Sequence, residues 1–186
     1  MSEWTDLSVD VETSGTRPDR AAIIQIGAVK FNYDTGEVCH DFFDRALEMM
    51  PHRSWEEDTR AFWSKHPTVY QGIVARAEDP VLVLKDFAEW AKPSSKGPLR
   101  LWAKPISFEW PFLESHFHDS GVRSPFHYRN CVDLTSFVAG WRHTVDYQKT
   151  SELMRSLPFS GDVHNALHDA LNQLTVALTF AKEHNS

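Results

Sequence analysis

Apolar and polar residues alternate over positions 5–12. Leu7, Val9 and Val11 fall on one face and Asp6, Ser8, Asp10 and Glu12 on the other, the two-residue period of a β-strand. A turn carrying Gly15 and Pro18 leads into 21–31, a nearly continuous apolar run of the kind that fills a buried central strand. Asp34, Thr35 and Gly36 form the turn into a third strand at 37–43, so the chain opens as an antiparallel meander. The period then changes to that of helices at 58–65, 67–76 and 80–91, followed by a strand at 99–103 and helices at 108–118 and 134–141. Early strands followed by strand and helix alternation predict an α/β fold, a mixed sheet with helices on its faces.

The last helix is the most informative element. On a wheel of about 100° per residue, Leu171, Leu174 and Leu178 lie close to Leu167 and predict the core stripe. His168, Asn172, Thr175, Thr179, Lys182 and Glu183 form the polar sector, but Asp169 falls outside it, beside Gln173, Val176 and Phe180. A carboxylate on an apolar flank is costly without a partner, and a metal ion is a good one.

A length of 186 residues predicts a single domain, 1–186, with Lys92 to Pro98 as a surface loop rather than a boundary. Only Cys39 and Cys131 occur, each in an ordinary stretch, the usage of a reducing compartment. No stretch reaches membrane-spanning length, and the N-terminus lacks a basic segment followed by an apolar one. The expectation is a cytoplasmic protein without a membrane partner. A net charge of −7 argues against a broad surface that tracks duplex phosphates, and leaves a nucleic acid that is short or held at one end.

Three islands carry the candidate chemistry: Asp10-Val-Glu12-Thr13, Ser107-Phe108-Glu109, and His164 to Asp169. Each has an ordinary reading. Asp10 and Glu12, about 7 Å apart on one strand face, match a solvated strand. Asp169 pairs as well with an arginine, and His164 serves as a surface or capping histidine. His164 with His168 imitates a zinc pair at i and i+4, yet no glutamate follows His164. Phe62, Trp63, Trp102, Phe108 and Trp110 are individually core residues. Joint occurrence of the islands, in this order, favours one shared metal site.

With these motifs the chain resembles the DEDDh branch of the DnaQ-like 3′–5′ exonucleases, which share an RNase H-like sheet. The resemblance runs from about Leu7 to Phe180. D-x-E-T stands at Asp10 to Thr13 and H-x4-D at His164 to Asp169, while residues 101–110 resemble the second motif. Residues 59–63 and 128–134 look closest to a small exoribonuclease subfamily of mycobacteria and phages.

The resemblance implies an RNase H-like mixed sheet with helices on both faces and two divalent cations, Mg²⁺ or Mn²⁺, held by carboxylate oxygens. Asp10 would bridge both, Glu12 and Asp169 would complete the first, and Glu109 would steady the second. His164 would be the general base. Thr13, Phe62, Trp63 and Phe108 are the expected substrate contacts, with aromatic stacking on a terminal base. Glu109 departs from the aspartate usual in the second motif and moves the carboxylate out by roughly one bond.

The expected activity is release of nucleoside 5′-monophosphates from single-stranded 3′ ends, RNA first and DNA close behind. Alternatives are DNA trimming or proofreading and, in another class, a binding module whose catalysis Glu109 has abolished. Similar enzymes are often dimers, which extends the expected partners to a second copy of the chain.

Overall fold

The computed structural model describes residues 4–93 and 99–184. Its strands are β1 (Asp6–Thr13), β2 (Ile23–Phe31), β3 (Phe43–Leu47), β4 (Ala77–Glu78), β5 (Arg100–Ala103) and β6 (Cys131–Asp133). They form one sheet in the order β4-β3-β2-β1-β5-β6. β1 to β3 pair antiparallel, whereas β4, β5 and β6 each join a neighbour in parallel. A parallel neighbour needs a crossover, and the helices supply it.

Both faces of the sheet are covered, as the near-continuous apolar run of β2 requires. On one, Leu7, Val9 and Val11 pack against α3 (Pro80–Trp90) and α4 (Ile106–Ser120) through Leu84, Phe87, Phe112 and Phe117. On the other, Val29, Phe31 and Trp102 meet α5 (Leu134–Trp141), α6 (Tyr147–Ser156) and α7 (Ala166–His184). α1 (Glu57–Trp63) and α2 (Pro67–Val74) close a third cluster with Ile24, Ala46, Trp63 and Ile73. Each fully buried side chain of this size contributes about 1.5 to 3 kcal/mol. Local signals agree with the packing: Asp79 caps α3 by accepting from the Leu82 amide, and Gly121, at φ 65°, ends α4.

Two expectations need correction, and one helix was not foreseen. The third strand lies at Phe43–Leu47 instead of 37–43; Val38 makes a single bridge to Phe31, and pairing with β2 begins only at Phe43, where the ring packs on Phe87 and Trp90. The core stripe of α7 is rotated from the leucines toward Ala166, Ala170, Gln173, Leu174, Ala177 and Ala181; Leu167, Leu171 and Leu178 are only partly buried. The cause is close approach, since a Cβ at Gly27 would lie 2.0 Å from the Leu167 nitrogen. Beside Gly27 only small residues fit against the sheet, while Leu174 and Phe180 fill the core further along the helix. α6 escaped the periodicity reading, although Asp146 caps it by accepting from the Gln148 and Lys149 amides. Within the expected loop at 92–98, residues 94–98 lie outside the described residues. No helix among the described residues is long and apolar enough to cross a membrane.

Candidate active site

The site forms where β1 ends and α7 begins. Asp10 is paired in register with Gly27, the residue on which the α7 backbone rests. Ser8 donates to the Ala170 carbonyl at 2.9 Å, and the Ala166 amide donates to Gln25 Oε1 at 3.2 Å, so two strands anchor the start of the helix. This brings Asp169 beside Asp10 and Glu12. The three residues offer carboxylate oxygens that all lie within 4.8 Å of one another.

The H-x4-D spacing has a local explanation. His164 sits ahead of α7 in the left-handed region, φ 65°, and its amide donates to Asp169 Oδ2 at 3.0 Å. That bond ties the histidine to the carboxylate five residues on. The zinc-pair geometry is absent, because His164 precedes the helix and His168 Nδ1 accepts from the Asp162 amide at 2.8 Å.

Electrostatics make the cluster unfavourable as it stands. Burial raises the Asp10 pKa well above its ordinary value, and Glu12, Glu109 and Asp169 raise it further against the opposing Gln173 amide. Glu12 is pushed up to about 8 by burial, then by Asp169 and Glu109. Glu109, on the first turn of α4 and 3% exposed, is also pushed up to about 8, by burial and then by Asp133. It stands outside the tight trio, and its Oε2 is buried with no hydrogen-bond partner. Burial raises the Asp169 pKa too, with Lys104 among the groups acting against it. Carboxylates held together at this cost fit divalent cations, which prefer hard oxygen ligands.

Around the trio, Phe62, His66 and His164 form a group of rings. His164 packs edge-on to Phe62 at 4.8 Å and to His66 at 4.7 Å between centroids. Burial, and then the neighbouring His66, lower the His164 pKa, which keeps the ring neutral and able to accept a proton. The other expected substrate contacts are engaged by neighbouring groups of the fold. Trp63 is 3% exposed and donates from Nε1 to the Thr13 carbonyl at 3.1 Å, while the Thr13 hydroxyl donates to the Gly15 carbonyl. Phe108 is half-buried and packs on Phe112 at 4.8 Å.

Three residues were not foreseen in these places. Gln173 Nε2 donates to Asp10 Oδ1 at 2.8 Å; its position beside Asp169 on the wheel was the available signal. His66 gave none beyond its neighbourhood to Phe62. Lys104, three residues before Ser107 in the second island, acts on Asp169.

Residues 5–181 match the family model of the Rv2179c-like domain, a 3′–5′ exoribonuclease domain. The chain is 28% identical over 182 residues to the 3′–5′ DNA exonuclease Cap18 of Escherichia coli, covering 90% of this chain and 86% of that protein. Among solved structures it is similar to the nuclease domain of 3′hExo, a DEDDh family member bound to rAMP. The TM-score is 0.74 at 18% identity, over 97% of this chain and 93% of that one. It is also similar to S. pombe Pop2p in its Mg²⁺- and Mn²⁺-bound form, with TM-score 0.69 and 11% identity over 98% and 84% of the chains. At these identities the structural likeness speaks to the fold alone, a mixed sheet flanked by helices.

Proposed function

The chain belongs to the Rv2179c-like 3′–5′ exoribonuclease family, and within that 3′–5′ exonuclease activity we propose that it removes nucleoside 5′-monophosphates from single-stranded RNA 3′ ends, with His164 as general base. The observation that carries this reading is the convergence of Asp10, Glu12 and Asp169 within 4.8 Å. Asp10, Glu12 and Asp169 would hold a first Mg²⁺ or Mn²⁺, with Asp10 shared, and the unpartnered Oε2 of Glu109 suits a role toward a second. Bound there, two such cations supply charge neutralisation on the attacking and leaving oxygens and ease ionisation of water.

The protein's own groups do the rest. His164 accepts the proton of the attacking water as the new phosphorus–oxygen bond forms; the bond from phosphorus to the upstream O3′ breaks, that oxygen takes a proton from solvent to become the 3′-hydroxyl of the shortened strand, and a 5′-monophosphate leaves. The backbone bond from His164 to Asp169 holds the base at the edge of the acidic cluster. Phe62, against His164 and His66, offers a face on which a terminal base stacks without being identified.

The likeness to a DNA exonuclease at 28% identity favours a second reading, in which DNA ends are the substrate. End-labelled RNA and DNA oligonucleotides of matched sequence, incubated with Mg²⁺, Mn²⁺ or a chelator, test both. Metal-dependent release of mononucleotides, faster from RNA, is expected. Faster release from DNA would move the assignment to the second reading, and no release in either metal would end both.

A further inference from the structure

Hydrolysis next to a terminal nucleotide leaves two pieces, and each needs a place against the acidic cluster. The rings of Phe62 and His164 flank one side. A separate cleft of about 250 Å³ opens beside Asp10 and Asp169, between α7 and the segment that follows α6, and neither ring lines it. Its cations are Lys104 and Arg155; its apolar wall includes Leu157, Pro158 and Phe159. Phe159 is 46% exposed, so its ring is open to a ligand entering the cleft.

The wall is built rather than incidental. Asn172 accepts from the Ser160 amide at 3.0 Å and donates to the Ser160 carbonyl at 3.1 Å and to the His168 carbonyl at 2.6 Å. With the Asp162 amide bonded to His168, this fastens the segment to α7 at two points. Gln173 supplies an independent sign of a ligand. It is 8% exposed and lines the cleft, one arm donates to Asp10, and its Oε1 is buried without a partner. A buried acceptor of this kind calls for a donor, and a sugar hydroxyl is one.

We propose that this cleft seats the nucleotide on the 5′ side of the scissile phosphodiester, with Lys104 and Arg155 taking its phosphate and Phe159 its base. The assignment rests on the exonuclease reading above. Cations beside a carboxylate cluster match a backbone that carries one negative charge per nucleotide, and an aromatic face accepts any base. The retained strand is thus held by charge and stacking rather than by sequence, as shortening one residue at a time demands.

Two substrates separate the flanks. A single-stranded oligonucleotide occupies both, whereas the p-nitrophenyl ester of a nucleoside 5′-monophosphate has no upstream nucleotide. Arg155→Gln should raise the oligonucleotide KM roughly tenfold, the loss of one charged contact. It should also lower the slope of log KM against log salt by about 0.7, one phosphate contact on a single strand. Phe159→Ala should raise KM by roughly the same factor for all four bases at that position. In both variants kcat/KM on the ester should change by less than about twofold, so that the ratio of the two substrates carries the effect. Equal losses on both substrates, or none on either, would overturn the assignment. A weaker inhibition by free 5′-mononucleotide in Arg155→Gln would also overturn it, by giving the cleft to the leaving nucleotide. If the parent protein cleaved neither substrate, the exonuclease reading itself would be what failed.

Discussion

β1 carries two aspartates of the same parity, one fully buried and one half-buried, and they have opposite fates. Asp6 is fully buried and saturated. It accepts from Arg100 Nε at 2.6 Å and Nη2 at 2.7 Å, from the Trp102 indole at 2.7 Å, from the Tyr33 amide at 3.1 Å and from the Thr5 hydroxyl at 2.7 Å. Asp10, four residues on, accepts from the Gln173 amide and faces the charges of Glu12, Glu109 and Asp169. One carboxylate is compensated by the fold, while the other is surrounded by groups of its own sign. What marks a functional acid here is unmet demand for positive charge, not burial.

The largest expected effect breaks this comparison directly. Asp10→Asn should lower turnover about 10³-fold or more, several kcal/mol of transition-state stabilisation, because it removes an anionic ligand from the proposed metal site. Above about pH 8, where its neighbours are ionised, it should leave the melting temperature of the cation-free protein equal or higher, since it also removes a like charge. Asp6→Asn should do the reverse: donors facing an amide instead of a carboxylate cost about 3 kcal/mol, the low end for a broken buried pair because Arg100 keeps part of its exposure. Thermal melts alongside turnover would show the crossing. Were Asp10→Asn to lose stability as much as Asp6→Asn, the two ends of the strand would be alike after all.

Next in size is His164→Ala, expected to lower kcat by roughly 10² to 10⁴-fold while barely altering divalent-cation affinity. Calorimetric titration with Mn²⁺ beside the kinetics decides it. A variant that lost the cation together with its rate would make the histidine a ligand, contrary to its place outside the carboxylate trio.

Glu109 sharpens the contrast at a third carboxylate, buried and with one oxygen lacking a partner. Glu109→Gln keeps the shape and deletes a charge near the proposed cations, so activity should fall roughly tenfold or more. Glu109→Asp shortens the reach to that usual in similar enzymes and should keep or raise activity. Equal rates for the parent and Glu109→Gln, in Mg²⁺ and in Mn²⁺, would remove this position from the site.

The difference between Asp6 and Asp10 also explains what could be read from the chain. Strand parity placed Asp6, Ser8, Asp10 and Glu12 on one face, but parity is local. Arg100 lies 94 positions from Asp6 and Gln173 lies 163 from Asp10. The motif islands carried the acidic cluster because their residue types are unusual together. The rotated α7 stripe was hidden for the opposite reason: it depends on the lack of a side chain at Gly27, and nothing in a helical wheel reports what the facing strand permits. β4 and β6, with two and three residues, are too short for any period to show. α6 was visible in its Asp146 cap, yet its mixed polar surface masked the spacing of Thr150, Leu153, Met154 and Leu157.

The smallest effect is a change of stability with pH that only the cluster should produce. In the cation-free protein Glu12 and Glu109 hold their protons up to about pH 8, and the Asp10 and Asp169 pKa values are raised as well. The unfolded chain releases these protons nearer 4 to 4.5. Between those limits the folded state binds more protons than the unfolded one, so its stability falls as pH rises, and levels off above about 8. His116 acts with the opposite sign. Buried, it accepts from the Ile23 amide and is pushed down to about 4, so its contribution is complete above 6.5 and lost toward acid. His116 lies away from the trio and titrates alike with or without cation, so it cancels when the two conditions are subtracted. A cation that binds the ionised carboxylates stabilises the folded state only as far as they have lost their protons. The gain in melting temperature from excess Mg²⁺ should therefore be near zero at pH 5 and grow to a few degrees by pH 8, at about 2 to 4 °C per kcal/mol for a chain of this size. Melts at unit pH steps, with Mg²⁺ and with chelator, give the difference curve. A gain of the same size at every pH, or one that survives in Asp10→Asn, would mean that the cation is bound elsewhere and that the carboxylates at the end of β1 are not its ligands.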